Sequence, residues 1–286
     1  MSFLTHADTF ITGLVYLAAV FTLFFLGKWI YNKRHSTFDV KHELFENDNP
    51  ALALAIVGYF SGVVFGLGGV LGKEGVELGS DLFDIFFFGT AVLVMLNLGS
   101  LVNNKIAFPK FDTTKEIVKD RNSGTGAIEA GNQIATGLIT AGAMSGEYVD
   151  LITASVFWIL GQAALVLVLR VYGAVVKYDL HDEIEKDNVA VGVAVGGLLV
   201  AVGNLVRLSI SGDFNGWSED LVNFAVYLGM GLVILPLVRL VCDKILLPGV
   251  SLHDELVEQE EPNVGAGIIE AFSYVAASML IGWAIY

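Results

Sequence analysis

Cysteine and basic residues are scarce in this chain, and each shortage excludes something. The one cysteine, Cys242, cannot form an internal disulfide or a cysteine-built metal site. Lys and Arg number 16 against 30 acidic residues, a net charge of −14. That balance disfavours a nucleic-acid partner, whose binding rests on neutralising phosphates. Charged residues make up only 16% of the chain, where a soluble domain carries about a quarter. In their place the chain is 55% hydrophobic with a mean hydropathy of +0.67. Apolar runs of about 20 residues, the length of a bilayer-spanning helix, recur from end to end. The chain is therefore an all-α polytopic membrane protein. Enzyme signatures are missing as well: there is no GxSxG, HExxH or P-loop. Gly66-Leu67-Gly68-Gly69 is a helix end with no strand before it. No catalytic residue, cofactor or metal is expected. The first apolar run has only His6 and Asp8 before it, so it lacks a basic leader region and is expected to be a retained helix.

What is present is a fourfold cassette, an acidic turn followed by Asn and a helix rich in small residues. The first copy runs Asp39, Glu43-Leu44, Asn49, then Ala51, Ala53, Ala55 and Gly58. The second runs Asp112, Glu116-Ile117, Asn122, then Gly124, Gly126 and Gly131. The third runs Asp179, His181-Asp182-Glu183-Ile184, Asn188, then Ala190 and Gly192. The fourth runs Ser251, His253-Asp254-Glu255-Leu256, Asn263, then Gly265 and Gly267. Asp39 and Asp179 read as N-caps of short helices. Thr113-x-x-Glu116 reads as a capping box, and Ser251-x-x-Asp254 as a shorter-armed version.

Eight spans are predicted, at about 10–31, 51–71, 83–105, 125–145, 151–176, 189–210, 220–246 and 264–285. Trp29, Tyr31, Tyr148, Trp217, Trp283 and Tyr286 fall near their ends, as interfacial aromatics do. Lys28, Lys33, Arg34, Lys41, Lys105, Lys110, Lys115, Lys119, Arg121, Arg170, Lys177, Lys186, Arg239 and Lys244 lie on the cassette side. Only Lys73 and Arg207 lie opposite. The positive-inside rule then puts the cassettes in the cytoplasm and both termini outside. The spans form four parallel helical hairpins in two tandem four-helix halves, 1–146 and 147–286. Small residues at four-residue spacing, Gly58, Gly62 and Gly66 in span 2 and Gly192 and Gly196 in span 6, let helices approach closely. Either spans 2, 4, 6 and 8 form an inner ring, or each hairpin seats its own two helices through them.

In Glu183-Ile184, Asp187-Asn188-Val189-Ala190-Val191-Gly192 and Gly196-Gly197, the chain resembles the YjfL-like family of bacterial inner-membrane proteins, a domain of unknown function (DUF350). The resemblance rests again on Glu43-Leu44, Asn47-Asp48-Asn49, Ala51, Ala53 and Gly58. A family domain is two hairpins long, so the chain resembles two in tandem. The resemblance implies an inner (plasma) membrane location and a helical fold, and transfers no functional residues.

Two glutamates are the site candidates. Glu129 and Glu270 each lie seven residues after their Asn, about 10 Å inside a helix at 1.5 Å per residue. An ionisable group at that depth faces protein or water. It serves an ion or proton, or it is a neutral clamp between helices. A ring ordered 2-4-6-8 would set the two carboxyls facing each other as a coupled pair. Asn97, Asn132, Gln133, Gln162, Asn204 and Asn223 are candidates for interhelical hydrogen bonds. Arg170 and Arg239 are expected to snorkel to the cytoplasmic interface, with Arg207 near the outer one. His42, His181 and His253 sit beside carboxylates but lack closed ligand spacing. Two function classes follow: permeation or transport of protons or small cations, or a scaffold recruiting a cytoplasmic protein through acidic loops. Expected partners are the lipid bilayer, a further copy of the chain or that cytoplasmic protein.

Overall fold

The structure, a computed structural model, describes residues 3–71, 77–106, 112–147 and 149–285, with the backbone alone for 3–9 and 103–106. Lys73, Lys110, Tyr148 and Tyr286 lie outside the described residues, as do the side chains of His6, Asp8 and Lys105. The long helices are α1 (Phe3–Arg34), α3 (Pro50–Leu71), α4 (Leu78–Ile106), α6 (Ser123–Ala143), α7 (Leu151–Val175), α9 (Val189–Ile210), α10 (Trp217–Val241) and α11 (Val264–Ile285). Three short helices, α2 (Val40–Phe45), α5 (Thr113–Val118) and α8 (Leu180–Glu185), carry the first three cassettes. The fourth cassette is a π-helical turn, Asp254–Glu258. Pro236 lies within α10, which runs on from Val241 into a further π-helical turn, Cys242–Leu246.

Seven of the long helices are apolar and long enough to cross a membrane. The other, α6, has the same length but carries Thr125, Glu129, Asn132, Gln133, Thr136 and Thr140. Its polarity is tolerated because it lies between α3 and α9, with five of those six side chains at most 6% exposed and the sixth, Glu129, partly buried.

The helices form two layers. One is a row, α3–α6–α9–α11, in close contact at each step. The second, α1–α4–α7–α10, rests on it: α4 spans α3 and α6, α7 spans α6 and α9, and α10 spans α9 and α11. The row corrects the expected ring. In α6, Gly124, Gly131 and Ala135 face α9, whereas Gly126, Ala130 and Gly137 face α3. In α9, Ala190 and Gly197 face α11, and Gly192, Gly196 and Gly203 face α6. Counted from the preceding Asn at about 100° per residue, the two contact faces lie roughly 140° apart. A ring of four would need roughly 90°, so successive helices run along an open arc with α3 and α11 at its ends. The boundary at 146/147 divides the sequence but not the packing, since α6 meets α9 as closely as it meets α3.

The approach is close enough to require glycine at the joints. A Cβ on Gly131 would stand 2.4 Å from the Gly196 carbonyl oxygen, and one on Gly58 2.2 Å from Ala130 Cα. Gly62 likewise meets α6, at Gln133, but Gly66 meets Val92 of α4, so it seats its own hairpin. Burial is also less even than an inner set of four implies. The apolar window of α9 is 78% buried, yet that of α11 is 33%, below the 44% of α4 and α7.

Candidate functional site

The cassettes are built on one plan. Asp39, Asp112 and Asp179 cap their short helices, each carboxylate accepting from backbone amides two or three residues on. The second cap is thus Asp112 and not Thr113, which is the first helical residue; Asp112 stands four before Glu116, as Asp39 and Asp179 stand before Glu43 and Glu183. In the fourth cassette the Ser251 hydroxyl accepts from Asp254 N at 3.3 Å. The Asn backbone N–H then donates to the carbonyl of the cassette glutamate in all four copies, Glu43, Glu116, Glu183 and Glu255. Asp48, Arg121 and Asp187, each just before its Asn, take a left-handed backbone with φ of 49°, 54° and 59°. In the fourth copy Pro262 holds that place and cannot adopt it.

Each Asn also ties one repeat to the next. Its Oδ1 caps its own long helix, accepting from Leu52, Thr125, Val191 or Ala266 N. Its Nδ2 reaches the following cassette: Asn49 donates to Ile117 O at 2.9 Å, Asn122 to Ile184 O at 2.6 Å and Asn188 to Leu256 O at 2.8 Å. Asn263, with no cassette after it, donates to Glu255 of its own turn at 2.7 Å. Glu116 and Glu183 accept from Asn122 and Asn188 in the same manner, and Glu43 accepts from Asn47 at 3.0 Å. The cassette glutamates are latches. The histidines pair locally: His42 with Glu46 at 2.9 Å, His181 with Asp179 at 4.0 Å, and His253 with Glu258 at 3.5 Å. Among the described residues no three His, Cys, Asp or Glu side chains gather as metal ligands.

Glu129 and Glu270 sit between the two layers on one plan, carried out differently. Tyr31, Glu129 and Gln133 recur 141 positions later as Tyr172, Glu270 and Tyr274. Glu129 accepts from Gln133 Nε2 at 2.7 Å and Ser100 Oγ at 3.3 Å. Arg34 stands behind Ser100, donating to it at 3.3 Å and to Asn97 at 2.7 Å, while Asn97 donates on to Tyr59. Glu129 and Gln133 line a cavity of about 40 Å³, room for a few waters. Its walls include Tyr31, Arg34 and His35 of the α1 end and Thr113 and Thr114 of α5, so it opens toward the cassettes. Burial pulls the His35 imidazole below its ordinary range.

Glu270 is sealed. It is fully buried, bonded to Arg239 Nη1, and accepts from Tyr274 OH at 2.7 Å and Tyr172 OH at 3.4 Å. Arg239 also donates to Tyr172 OH at 3.0 Å. This corrects the expectation that Arg239 snorkels: a buried carboxylate in reach holds its guanidinium inside. The facing glutamate pair is corrected too. The two carboxyls share no partner, and α9 stands between α6 and α11 in the row.

Below Glu129 a polar stripe continues down α6 through Gln133, Thr136 and Thr140. Gln133 Oε1 is buried without a hydrogen-bond partner among the described residues. Thr136 and Thr140 are fully buried, with Thr136 Oγ1 3.4 Å from Gln162 Oε1 of α7. At the far end of α6 lies a hollow of about 290 Å³ whose lining includes Ser145, Asp150, Asp213, Asp220 and Asn223. Sequence reasoning singled out Glu129 but missed this stripe; the spacing of Glu129, Gln133, Thr136 and Thr140 at i, i+4, i+7 and i+11 was the signal for it. Of the other polar groups predicted to bridge helices, Asn204 donates to Ser278 of α11 at 3.2 Å and Asn223 to Ser209 O of α9 at 2.8 Å, whereas Gln133 bonds Glu129 of its own helix.

Residues 5–144 and 148–285 each match the family described as Domain of Unknown Function (DUF350). The chain is also similar to a UPF0719 transmembrane protein of Aquifex aeolicus (strain VF5), 24% identical over 245 residues, covering 84% of this chain and 88% of that protein. No solved structure matches it significantly.

Proposed function

We propose that this chain, which belongs to the DUF350 family as two tandem copies, conducts protons or a small cation, with Glu129 as the working carboxyl. The observation that carries this reading is the stripe on α6. It leads from a cassette-side cavity at Glu129 toward an acidic hollow at the opposite end of the same helix. From Glu129 to Thr140 the stripe runs about 16 Å at 1.5 Å per residue. A cation leaving Glu129 would meet the Gln133 amide oxygen and then the Thr136 and Thr140 hydroxyls, all hard oxygen ligands. The path is packed shut between Gln133 and the hollow, so conduction requires α6 to shift against its neighbours. Glu270, neutralised by Arg239, serves as a brace and not as a second carrier.

The same reading takes α6 as an eighth span. With eight, both termini are periplasmic, the cassettes cytoplasmic, and the protein a multi-pass, non-enzymatic component of the bacterial inner membrane. A further copy of the chain is a partner compatible with it.

Flux of H⁺, Na⁺ and K⁺ into proteoliposomes under a pH gradient or membrane potential tests the proposal. Wild type should exceed empty liposomes, and Glu129→Gln should abolish the flux while leaving the protein folded. No flux from wild type would end the transport reading for those ions. The scaffold would then lead, for which the exposed carboxylates of Asp182, Glu185, Asp254, Glu260 and Glu261 offer a cytoplasmic docking face.

A further inference from the structure

The cassette-side end of α7 carries Val166, Arg170 and Gly173 at spacings of four and three on one face, and Lys177 follows in the bend just past the helix end. They line a groove of about 480 Å³ that continues past Tyr178 to the start of α8. Gly173 keeps it open, since a Cβ there would meet nothing within 4 Å. Arg170 and Lys177 are both exposed, and neither has an acidic partner among the described residues.

The one acid in the groove wall is engaged in the cap of the next helix. Asp179 caps α8, its carboxylate accepting from His181 N at 2.8 Å and Asp182 N at 3.3 Å, and lies 4.0 Å from His181 Nδ1. Arg170 stands five residues before the end of α7, about 8 Å down the helix. A guanidinium at that depth extends to the phosphate layer of a bilayer. The wall on the membrane side is apolar, made by Val166 and Leu169, and Leu167 beside them is 42% exposed.

We propose that this groove binds the headgroup of an anionic phospholipid, with its phosphate between Arg170 and Lys177 and its acyl chains running past Val166 and Leu167. Basic pockets at the cytoplasmic ends of membrane helices recognise such headgroups by charge. The apolar wall selects a lipid over a free anion, because acyl chains would cover it.

The full chain in detergent is titrated with dioctanoyl phosphatidylglycerol, dioctanoyl phosphatidylcholine and inorganic phosphate, and adducts are read by native mass spectrometry. Phosphatidylglycerol should bind saturably to wild type and phosphatidylcholine should not. Arg170→Gln with Lys177→Gln should weaken binding about thirtyfold, given roughly 1 kcal/mol per surface cation. Gly173→Leu, which keeps both charges and has open space to enter, should weaken it as well. If the double variant does not fold, Gly173→Leu alone decides. Wild-type affinity in the folded variants, equal binding of phosphatidylcholine, or displacement by equimolar inorganic phosphate would each overturn the proposal.

Discussion

Asn122 and Asn263 occupy the same place in their cassettes, but their replacement by alanine should differ in cost. Asn122 is 2% exposed and makes three hydrogen bonds: it caps α6 through Thr125 N at 2.7 Å, donates to Ile184 O at 2.6 Å, and reaches Glu116 at 3.3 Å. Loss of an N-cap costs about 1 kcal/mol. The Ile184 carbonyl, on a residue 1% exposed, loses this donor but keeps Asp187 N at 3.0 Å, so the lost bond adds roughly 0.5–1.5 kcal/mol. Asn122→Ala should therefore destabilise by about 1.5–2.5 kcal/mol. Asn263 is exposed, caps α11 at 3.2 Å and otherwise binds only its own cassette, so Asn263→Ala should cost about 1 kcal/mol. Asn122→Asp separates the two terms. It keeps the cap but removes the donor, and places a carboxylate against the Ile184 carbonyl and Glu116. Equilibrium unfolding by titrated denaturing detergent in mixed micelles measures all three. Equal losses for Asn122→Ala and Asn263→Ala, or an Asn122→Asp variant as stable as wild type, would refute the account of the cassettes as linked repeats.

Other consequences can be measured the same way. Gly131→Leu should cost at least about 1–3 kcal/mol by overpacking against Gly196, whereas Gly68→Leu, with open space at its Cβ, should be tolerated; similar melting temperatures for the two would contradict the close joint. Glu270→Gln leaves Arg239, with its side chain 14% exposed, without a counter-charge and should cost about 3–5 kcal/mol, part of it recovered by adding Arg239→Gln; additive losses would show that the two groups do not act as a pair. His35 concerns pH. Its folded pKa lies below the unfolded value of about 6.5, so the unfolded chain binds the proton more readily. Stability linked to neutral His35 is fully present above pH 6.5 and is lost as pH falls toward the folded pKa. Wild type should therefore lose more stability than His35→Gln between pH 7.5 and pH 5, and parallel pH profiles would count against it.

The features legible in the sequence are those set by neighbours a few residues apart. The long helices follow from apolar runs, the cassette turns from Asp and Asn caps, and the tandem halves from the recurrence of those caps. Glu129 and Glu270 stood out because a carboxyl seven residues into an apolar helix is costly wherever it points. Misplaced expectations concern groups far apart in the chain. Ring or row depends on the angle between two contact faces, and only the joined helices reveal which small residues belong to which face. Gly66 illustrates the difficulty, since it continues the spacing of Gly58 and Gly62 yet packs against α4. The roles of the two glutamates were open for the same reason. Arg239, 31 residues before Glu270, closes one site, while Arg34, 95 residues before Glu129, stops at Ser100 and leaves a cavity. Helical periodicity places a side chain on its own helix, but whether that side chain is neutralised or left open to water depends on which other helices the fold sets against it.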